Sequence, residues 1–457
     1  MSRDRLASRL GFILLSAGCA IGIGNVWKFP WMVGQYGGAI FVLIYLFFLV
    51  ILGIPVMTVE FAVGRAAQKS PVKMYQQLES PRAKWHWHGY LSLAGNVILL
   101  MFYTTVSSWM VKYFLSTAAG KLSGLDTAGV SAAFGDMLSK PWGMIILVGV
   151  IMVISTVVCM TGVKGGLEKV TKFMMLALLG IMVILAVNSI FLPGAEDGLK
   201  FYLIPNVDNI KAAGLPNVIV AAMNQAFFTL SLGIGSMAIF GSYINKDRAL
   251  LGESVNVVAL DTFVALTSGL IIFPACYAYG VQPDAGPSLI FQTLPNVFNN
   301  MPGGRIWGTL FFMFMIFAAL STVFAVLENI IACLMDLTGW GRKTASVVAG
   351  VAIFALSLPC ILGFNVWSSF VPFAEGTGVL DLEDFIVSNV LLPLGSLTIV
   401  LFCVLPRYGW GWKNFVAEAN QGKGLKVAGW MRWIITIVVP LIIFAMFIMG
   451  IVNFNFG

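Results

Sequence analysis

The chain has 457 residues, of which 59% are hydrophobic and only 10% charged, whereas soluble domains carry about 25% charged residues. That balance belongs to a chain solvated mostly by lipid and excludes disorder. The 27 Lys and Arg residues are scattered among short loops, which excludes a nucleic-acid partner and leaves the formal net charge of +7 to be explained.

A bilayer core about 30 Å thick takes roughly 20 apolar residues per helix. Eleven runs of that kind follow in order, at 10–33, 39–61, 90–118, 142–160, 170–192, 215–243, 255–279, 304–335, 345–362, 385–404 and 427–452. The first is not a leader peptide, because it is long, contains Asn25 and Lys28, and lacks a small-residue cleavage site. Between the second and third runs lie the only two histidines, His86 and His88, beside Trp85 and Trp87; they read as a basic interfacial loop on the cytoplasmic side. Cys19, Cys159, Cys276, Cys333, Cys360 and Cys403 fall in or beside apolar runs without a CxxC pair, so neither a disulfide framework nor a zinc site is signalled. No HExxH, GxSxG or nucleophile beside a base is present, which argues against an enzyme.

Placing the amino terminus in the cytoplasm puts all the basic residues in inner loops except Lys28, Lys112, Lys121, Lys140, Lys200, Lys211 and Arg305. By the positive-inside rule this fixes the orientation and accounts for the charge. An odd number of spans then carries Gly457 to the outside of a cell-membrane, multi-pass protein.

The first and sixth runs are interrupted alike, by Ala17-Gly18-Cys19-Ala20-Ile21-Gly22-Ile23-Gly24-Asn25 and by Thr229-Leu230-Ser231-Leu232-Gly233-Ile234-Gly235-Ser236. Freed backbone groups at membrane depth are tolerated only where they line a cavity. A packing face of small residues explains one such segment; two in matching positions, with polar residues beside each, point to broken helices. Five spans separate them, so the halves run in opposite senses, the signature of an inverted-repeat transporter with its site between the breaks. The predicted fold is therefore an all-α integral membrane protein of eleven transmembrane helices, a 5+5 inverted repeat with helices 1 and 6 broken. Its parts are a first repeat at 1–192, an extracellular loop at 193–214, a second repeat at 215–404, and a cytoplasmic loop with helix 11 at 405–457.

Polar residues inside the runs are functional candidates by default. They are Asn25 and Lys28 in the first, Asn224, Gln225, Thr229 and Ser231 in the sixth, Asp261 and Thr262 in the seventh, and Ser321, Thr322, Glu328 and Asn329 in the eighth. Rich in oxygen and nearly free of Cys and His, the set suits a hard cation such as Na⁺.

The stretch Gly24-Asn25-Val26-Trp27-Lys28-Phe29-Pro30, with Phe227-Phe228-Thr229-Leu230-Ser231-Leu232-Gly233 in the sixth run, closely resembles the signatures of the neurotransmitter:sodium symporter family and its bacterial amino-acid transporters. The resemblance covers nearly the whole chain and implies two sodium sites. The first takes the carbonyls of Ala20 and Thr229, the Thr229 hydroxyl, Asn25, Asp261 and the substrate carboxylate. The second takes the carbonyls of Gly18, Ile21 and Ala318 and the hydroxyls of Ser321 and Thr322. It implies further that the substrate carboxylate meets the Ile23 and Gly24 amides and the Tyr103 hydroxyl. The amine meets carbonyls near Phe228, Thr229 and Ser231, and the side chain meets Leu99, Phe228, Ile234, Thr322 and Val326, of which Leu99 and Val326 serve equally as bundle packing.

Gates are carried over by the same resemblance. Lys28, where relatives usually hold Arg, faces Asp384 outside, without the bidentate fork of a guanidinium. Arg3, which reads equally as an ordinary positive-inside residue, faces Asp336 inside. Two departures stand out: eleven helices where many members have twelve, and Leu176 ten residues after Gly166, where many have a proline. Leu176 predicts an unbroken fifth helix. Gly22 stands where monoamine carriers hold an aspartate, and Ala265 lacks the hydroxyl that chloride-binding relatives place beside Tyr45, Gln225, Thr229 and an asparagine, here Asp261. The expected function is a chloride-independent, sodium-coupled symporter importing hydrophobic L-amino acids by alternating access, its partners being the amino acid, Na⁺ and the bilayer. A proton-coupled carrier of the same fold, using Asp261 or Glu328, is the principal alternative, and Asp261 reads either as an ionised carboxylate or as a protonated one.

Overall fold

In the computed structural model residues 6–281 and 289–452 are described, the Ala212 side chain excepted, and among them the only backbone pairing of strand type is a single bridge between Arg248 and Lys423. Everything else that is regular is helix, as a chain without water around its backbone requires.

The first apolar run is two helices, α1 (Arg9–Ala20) and α2 (Ile23–Gln35), meeting at 65°. Nine others are each long and apolar enough to cross a bilayer. They are α3 (Ala39–Ala67), α4 (His86–Ala118), α5 (Pro141–Met160), α6 (Val163–Ile190), α9 (Leu250–Ala278), α10 (Gly304–Thr338), α11 (Arg342–Gly363), α12 (Val379–Val404) and α13 (Met431–Val452). The sixth run is split into α7 (Leu215–Thr229) and α8 (Ser236–Gly241), each too short to cross alone. Among the described residues, nine helices and one bent pair thus meet the length and composition of a span.

Hydropathy marks the middle of each helix and misses charged ends. The tenth run extends back to Val379, so Asp381, Glu383 and Asp384 lie in the first turns of α12 and not in a preceding loop. Conversely α13 begins at Met431, after a turn that the apolar run had included. Loops carry short helices, among them Pro71–Leu78 and, inside the 193–214 segment, Glu196–Leu203 and Val207–Ala213. His86 and His88 open α4, and His88 is buried at 7% exposure, which corrects its reading as an interfacial loop residue. Leu176 sits within an uninterrupted stretch, Glu168–Ile190, as its side chain predicts; the irregular turn lies earlier, at Val163–Leu167.

α4 packs along α10, and α1 nests between α6, α9 and α10. The most apolar window of α10 is 72% buried, against 22% for α13, so α10 is central and α13, packed on α12, is peripheral. Both breaks therefore open toward the centre of the bundle.

Candidate functional site

At the first break Ile21 and Gly22 separate α1 from α2, leaving carbonyls of one and amides of the other outside the helical ladder. Gly22 is extended, and any side chain there would overlap the Tyr103 hydroxyl and come within 3.1 Å of Thr322 Oγ1. The exposed amides find partners: Gly22 N–H donates to Asn25 Oδ1 at 3.0 Å and Ile23 N–H to the Tyr103 hydroxyl at 2.9 Å. At the second break Ser231, Gly233 and Gly235 all have positive φ, of 50°, 98° and 74°, a left-handed conformation costly for Ser231 alone.

Two oxygen clusters flank the first break. In one, the Asn25 amide donates to Thr229 Oγ1 at 3.0 Å and to Asp261 Oδ1 at 2.8 Å, and Thr229 donates to Asp261 Oδ2 at 3.0 Å. Asn25, Thr229 and Asp261 are all buried. In the other, Thr322 Oγ1 lies 3.2 Å from the Gly18 carbonyl and 3.4 Å from those of Ile21 and Ala318, while Ser321 Oγ lies 2.9 Å from the Ala318 carbonyl. Gly18 packs closely here, since a Cβ would stand 3.1 Å from Thr171 and 3.2 Å from Ser321, which would have to give way slightly. The first cluster offers oxygen from three elements and the second from two, a donor set for a small hard cation in each case. Among the described residues no group of three or more His, Cys, Asp or Glu gathers as a transition metal would need.

Between these clusters is a small pocket of about 30 Å³, lined by Cys19, Ala20, Gly22, Gly24, Asn25, Leu99, Tyr103, Phe228, Thr229, Ser231, Ile234, Thr322, Val387 and Leu392. Polar atoms of α1, α2 and Tyr103 form one side; Leu99, Phe228, Ile234, Val387 and Leu392 form an apolar side. A larger cavity of about 290 Å³ adjoins it, lined by Ile23, Trp27, Trp31, Phe102, Val106, Leu380 and others, with Phe228 and Tyr103 shared between the two.

Most residues singled out in the sequence converge here; several do not. Val326 is buried in α10 but off the pocket wall. Lys28 and Asp384 line the larger cavity together, yet no ion pair joins them: Lys28 Nζ sits 3.9 Å from the centre of the Phe228 ring, and Asp384 accepts from Ser388 at 2.7 Å. A lysine close to an aromatic face gains a cation–π attraction, which gives it a partner nearer than the carboxylate. Arg3 lies outside the described residues, and Asp336 accepts from the Ser70 amide at 2.7 Å. Glu328 is held by the Arg342 fork, at 2.7 and 3.0 Å, and by the Tyr243 hydroxyl at 2.7 Å. Arg9 pairs with Glu253 at 3.0 Å, and Glu168 accepts from the Ala7 amide and the Ser8 hydroxyl at 2.7 and 2.8 Å.

Sequence reasoning missed Glu60, Asn96, Val387 and Leu392. Glu60 Oε1 accepts the Gly233 amide at 2.5 Å, and Asn96 donates to the Ile234 carbonyl at 2.7 Å. A carboxylate alone in an apolar run was the signal for Glu60. Val387 and Leu392 carried none, being apolar residues in an apolar helix.

The family model described as the sodium:neurotransmitter symporter family matches residues 3–127 and 126–456. The chain is 35% identical over 452 residues, 98% of each chain, to the sodium-dependent transporter YhdH of Bacillus subtilis. It is 24% identical to the sodium- and chloride-dependent taurine transporter of Bos taurus, over 99% of this chain and 78% of that one. The crystal structure of MhsT in complex with L-phenylalanine superposes with a TM-score of 0.87 at 35% identity, covering 98% of this chain and 100% of that one. The chain therefore belongs to the sodium:neurotransmitter symporter family, as a multi-pass, sodium-dependent membrane transporter and not an enzyme.

Proposed function

We propose that the protein is a chloride-independent symporter that moves two Na⁺ inward with one hydrophobic L-amino acid. One observation carries this reading: the pocket between the two breaks has backbone polar groups and the Tyr103 hydroxyl on one side and Leu99, Phe228 and Ile234 on the other. A zwitterion with an apolar side chain matches both. Its carboxylate meets the Ile23 and Gly24 amides and Tyr103, its amine meets carbonyls of the second break near Phe228, Thr229 and Ser231, and its side chain lies against the apolar wall. L-phenylalanine in the MhsT crystal structure supports that substrate class.

The two oxygen clusters are the proposed sodium sites. The first comprises Ala20, Asn25, Thr229 and Asp261, completed by the substrate carboxylate; the second comprises Gly18, Ile21, Ala318, Ser321 and Thr322. A substrate that supplies a ligand to one ion is linked to it, so each raises the other's affinity by the same factor. Asp261 accepts from the Asn25 amide, and in its ionised form it would give the site the negative charge that chloride brings in relatives. The halves 1–192 and 215–404 are taken as inverted repeats, each opening on a broken helix, with the amino terminus cytoplasmic and the carboxyl terminus outside.

Uptake into sealed vesicles is the test. A Na⁺ gradient alone should drive accumulation of leucine, phenylalanine or tryptophan; accumulation under a pH gradient alone would replace this reading with a proton-coupled carrier.

A further inference from the structure

The second break is not held by its own helix. Gly233 N–H donates to Glu60 at 2.5 Å, and the Nε2 edge of His88 faces the Gly233 carbonyl across Gly395, whose would-be Cβ would meet both. The other ring nitrogen of that histidine, Nδ1, lies 2.6 Å from the Tyr75 hydroxyl. A carbonyl can only accept, so the tautomer that suits this placement carries its proton on Nε2 and accepts from Tyr75 at Nδ1. His88 and Tyr75 are both buried, Tyr75 completely. Gly395 on α12 leaves the space, since a Cβ there would stand 3.0 Å from His88 Nε2 and on the Gly233 carbonyl itself. One turn on, Gly235 rests on Pro71, at 2.6 Å from a would-be Cβ to its ring. Glu60, Pro71, Tyr75 and His88 thus come from one continuous stretch, the end of α3, the Pro71–Leu78 helix and the start of α4, and they surround the Gly233–Gly235 segment between α7 and α8. The residue after Gly233 is Ile234, which forms the apolar wall of the pocket.

We propose that Tyr75 and His88 are positioning residues that fix the Gly233 peptide and thereby set how far Ile234 protrudes into the pocket, which makes them determinants of substrate size. Neither touches the pocket; both act through one backbone carbonyl. The Tyr75 hydroxyl fixes the histidine tautomer, and the histidine fixes the peptide plane, so removing the hydroxyl alone should loosen the same segment. Neither Asn25 and Asp261 nor Thr322 contacts this pair, so sodium activation should not change.

The substrate half of this inference rests on the proposed function, and the test separates the two. Sodium-driven uptake of alanine, leucine and tryptophan is measured for the protein and for His88→Leu, Tyr75→Phe and His88→Gln, the last having an amide that donates at one end and accepts at the other. His88→Leu and Tyr75→Phe should change the KM for tryptophan relative to that for alanine by about three- to tenfold, the factor expected from one lost buried hydrogen bond. Vmax and the sodium activation curve should hold, and His88→Gln should restore most of the wild-type ratio. Backbone hydrogen–deuterium exchange over 231–236 should be faster in His88→Leu and Tyr75→Phe. Equal KM changes for all three substrates, or an effect on Vmax alone, would overturn the role in specificity. Unchanged exchange in folded variants would overturn the positioning role, and that readout decides the matter even if the unmodified protein takes up none of the three amino acids. Should His88→Leu fail to fold, Tyr75→Phe and His88→Gln carry the comparison.

Discussion

Asn25 meets three neighbours at once: its oxygen takes the Gly22 amide and its nitrogen serves Thr229 and Asp261. Asn25→Ala therefore removes a proposed ion ligand and unlocks the first break. Apparent affinity for Na⁺ and for substrate should both fall, by roughly tenfold or more, since a buried acceptor left unpaired costs about 1–3 kcal/mol. Thr322 reaches Gly18 and Ile21 on the far side of α1, and Thr322→Ala should weaken Na⁺ activation while sparing substrate affinity at saturating Na⁺. Unchanged Na⁺ curves in both variants would refute the ligand assignment. Asp261 supplies the third test at this scale. A fixed charge about 4 Å from a cation is worth on the order of 4 kcal/mol at an effective dielectric near 20, enough to stand in for an anion. Replacing external chloride with gluconate should leave uptake unchanged, whereas Asp261→Asn should impair it severely.

At the scale of elements, the second break depends on glycine where a side chain has neither space nor torsional freedom. Gly233 has φ of 98°, and a Cβ there would run onto the Leu392 carbonyl and stand 2.8 Å from Ser396. Gly233→Ala should abolish uptake and lower thermal stability in detergent. Gly180 provides the control, being mid-helix in α6 with nothing within 4 Å of its would-be Cβ. Alanine there should leave uptake intact and stabilise by up to about 1 kcal/mol through helix propensity. If the two substitutions behaved alike, the break would not depend on its backbone geometry.

For the whole molecule, the contacts are unequal on the two sides of the pocket. One side opens on a cavity of about 290 Å³; toward the other, Arg342, Glu328 and Tyr243 form a closed set, supported by Arg9 on Glu253 and by Glu168 on the chain before α1. Removing one member of a buried pair leaves an uncompensated charge and is strongly destabilising to that contact. Arg342→Ala should therefore favour opening on the Arg342 side. Cys159 reports it, because Arg342 reaches its carbonyl at 3.3 Å and all six cysteines are buried: thiol modification at Cys159 should speed up several-fold, and an unchanged rate would mean that this set fastens nothing. Glu328 is accordingly a fastener with both oxygens engaged, a poor station for a travelling proton.

Much of this was legible in the sequence for a physical reason. Gly-Ile-Gly twice at membrane depth is costly unless a cavity excuses it, and Asn25 and Asp261 are costly there unless they meet. His88 was not legible, because beside Trp85, Trp87 and basic residues it has the composition of a membrane interface, and its burial follows only from how the Pro71–Leu78 helix folds back on α4. The start of α12 escaped because its acidic first turns break the hydropathy pattern on which spans are recognised. The Phe228 ring beside Lys28 was not legible because spacing along a chain does not give the few ångströms that decide between a carboxylate and a ring.

That ring has an electrical consequence. Phe228 stands between the small pocket and the larger cavity, and it bears the Lys28 ammonium on its face. A ligand that displaces the ring displaces an elementary charge with it, through part of a voltage drop worth about 2.3 kcal/mol per 100 mV for a full crossing. Adding an amino acid to protein held on a supported membrane should therefore evoke a brief capacitive current before any steady turnover. In Lys28→Gln the transient should shrink while binding persists, so the ring would act as an electrode as well as a door.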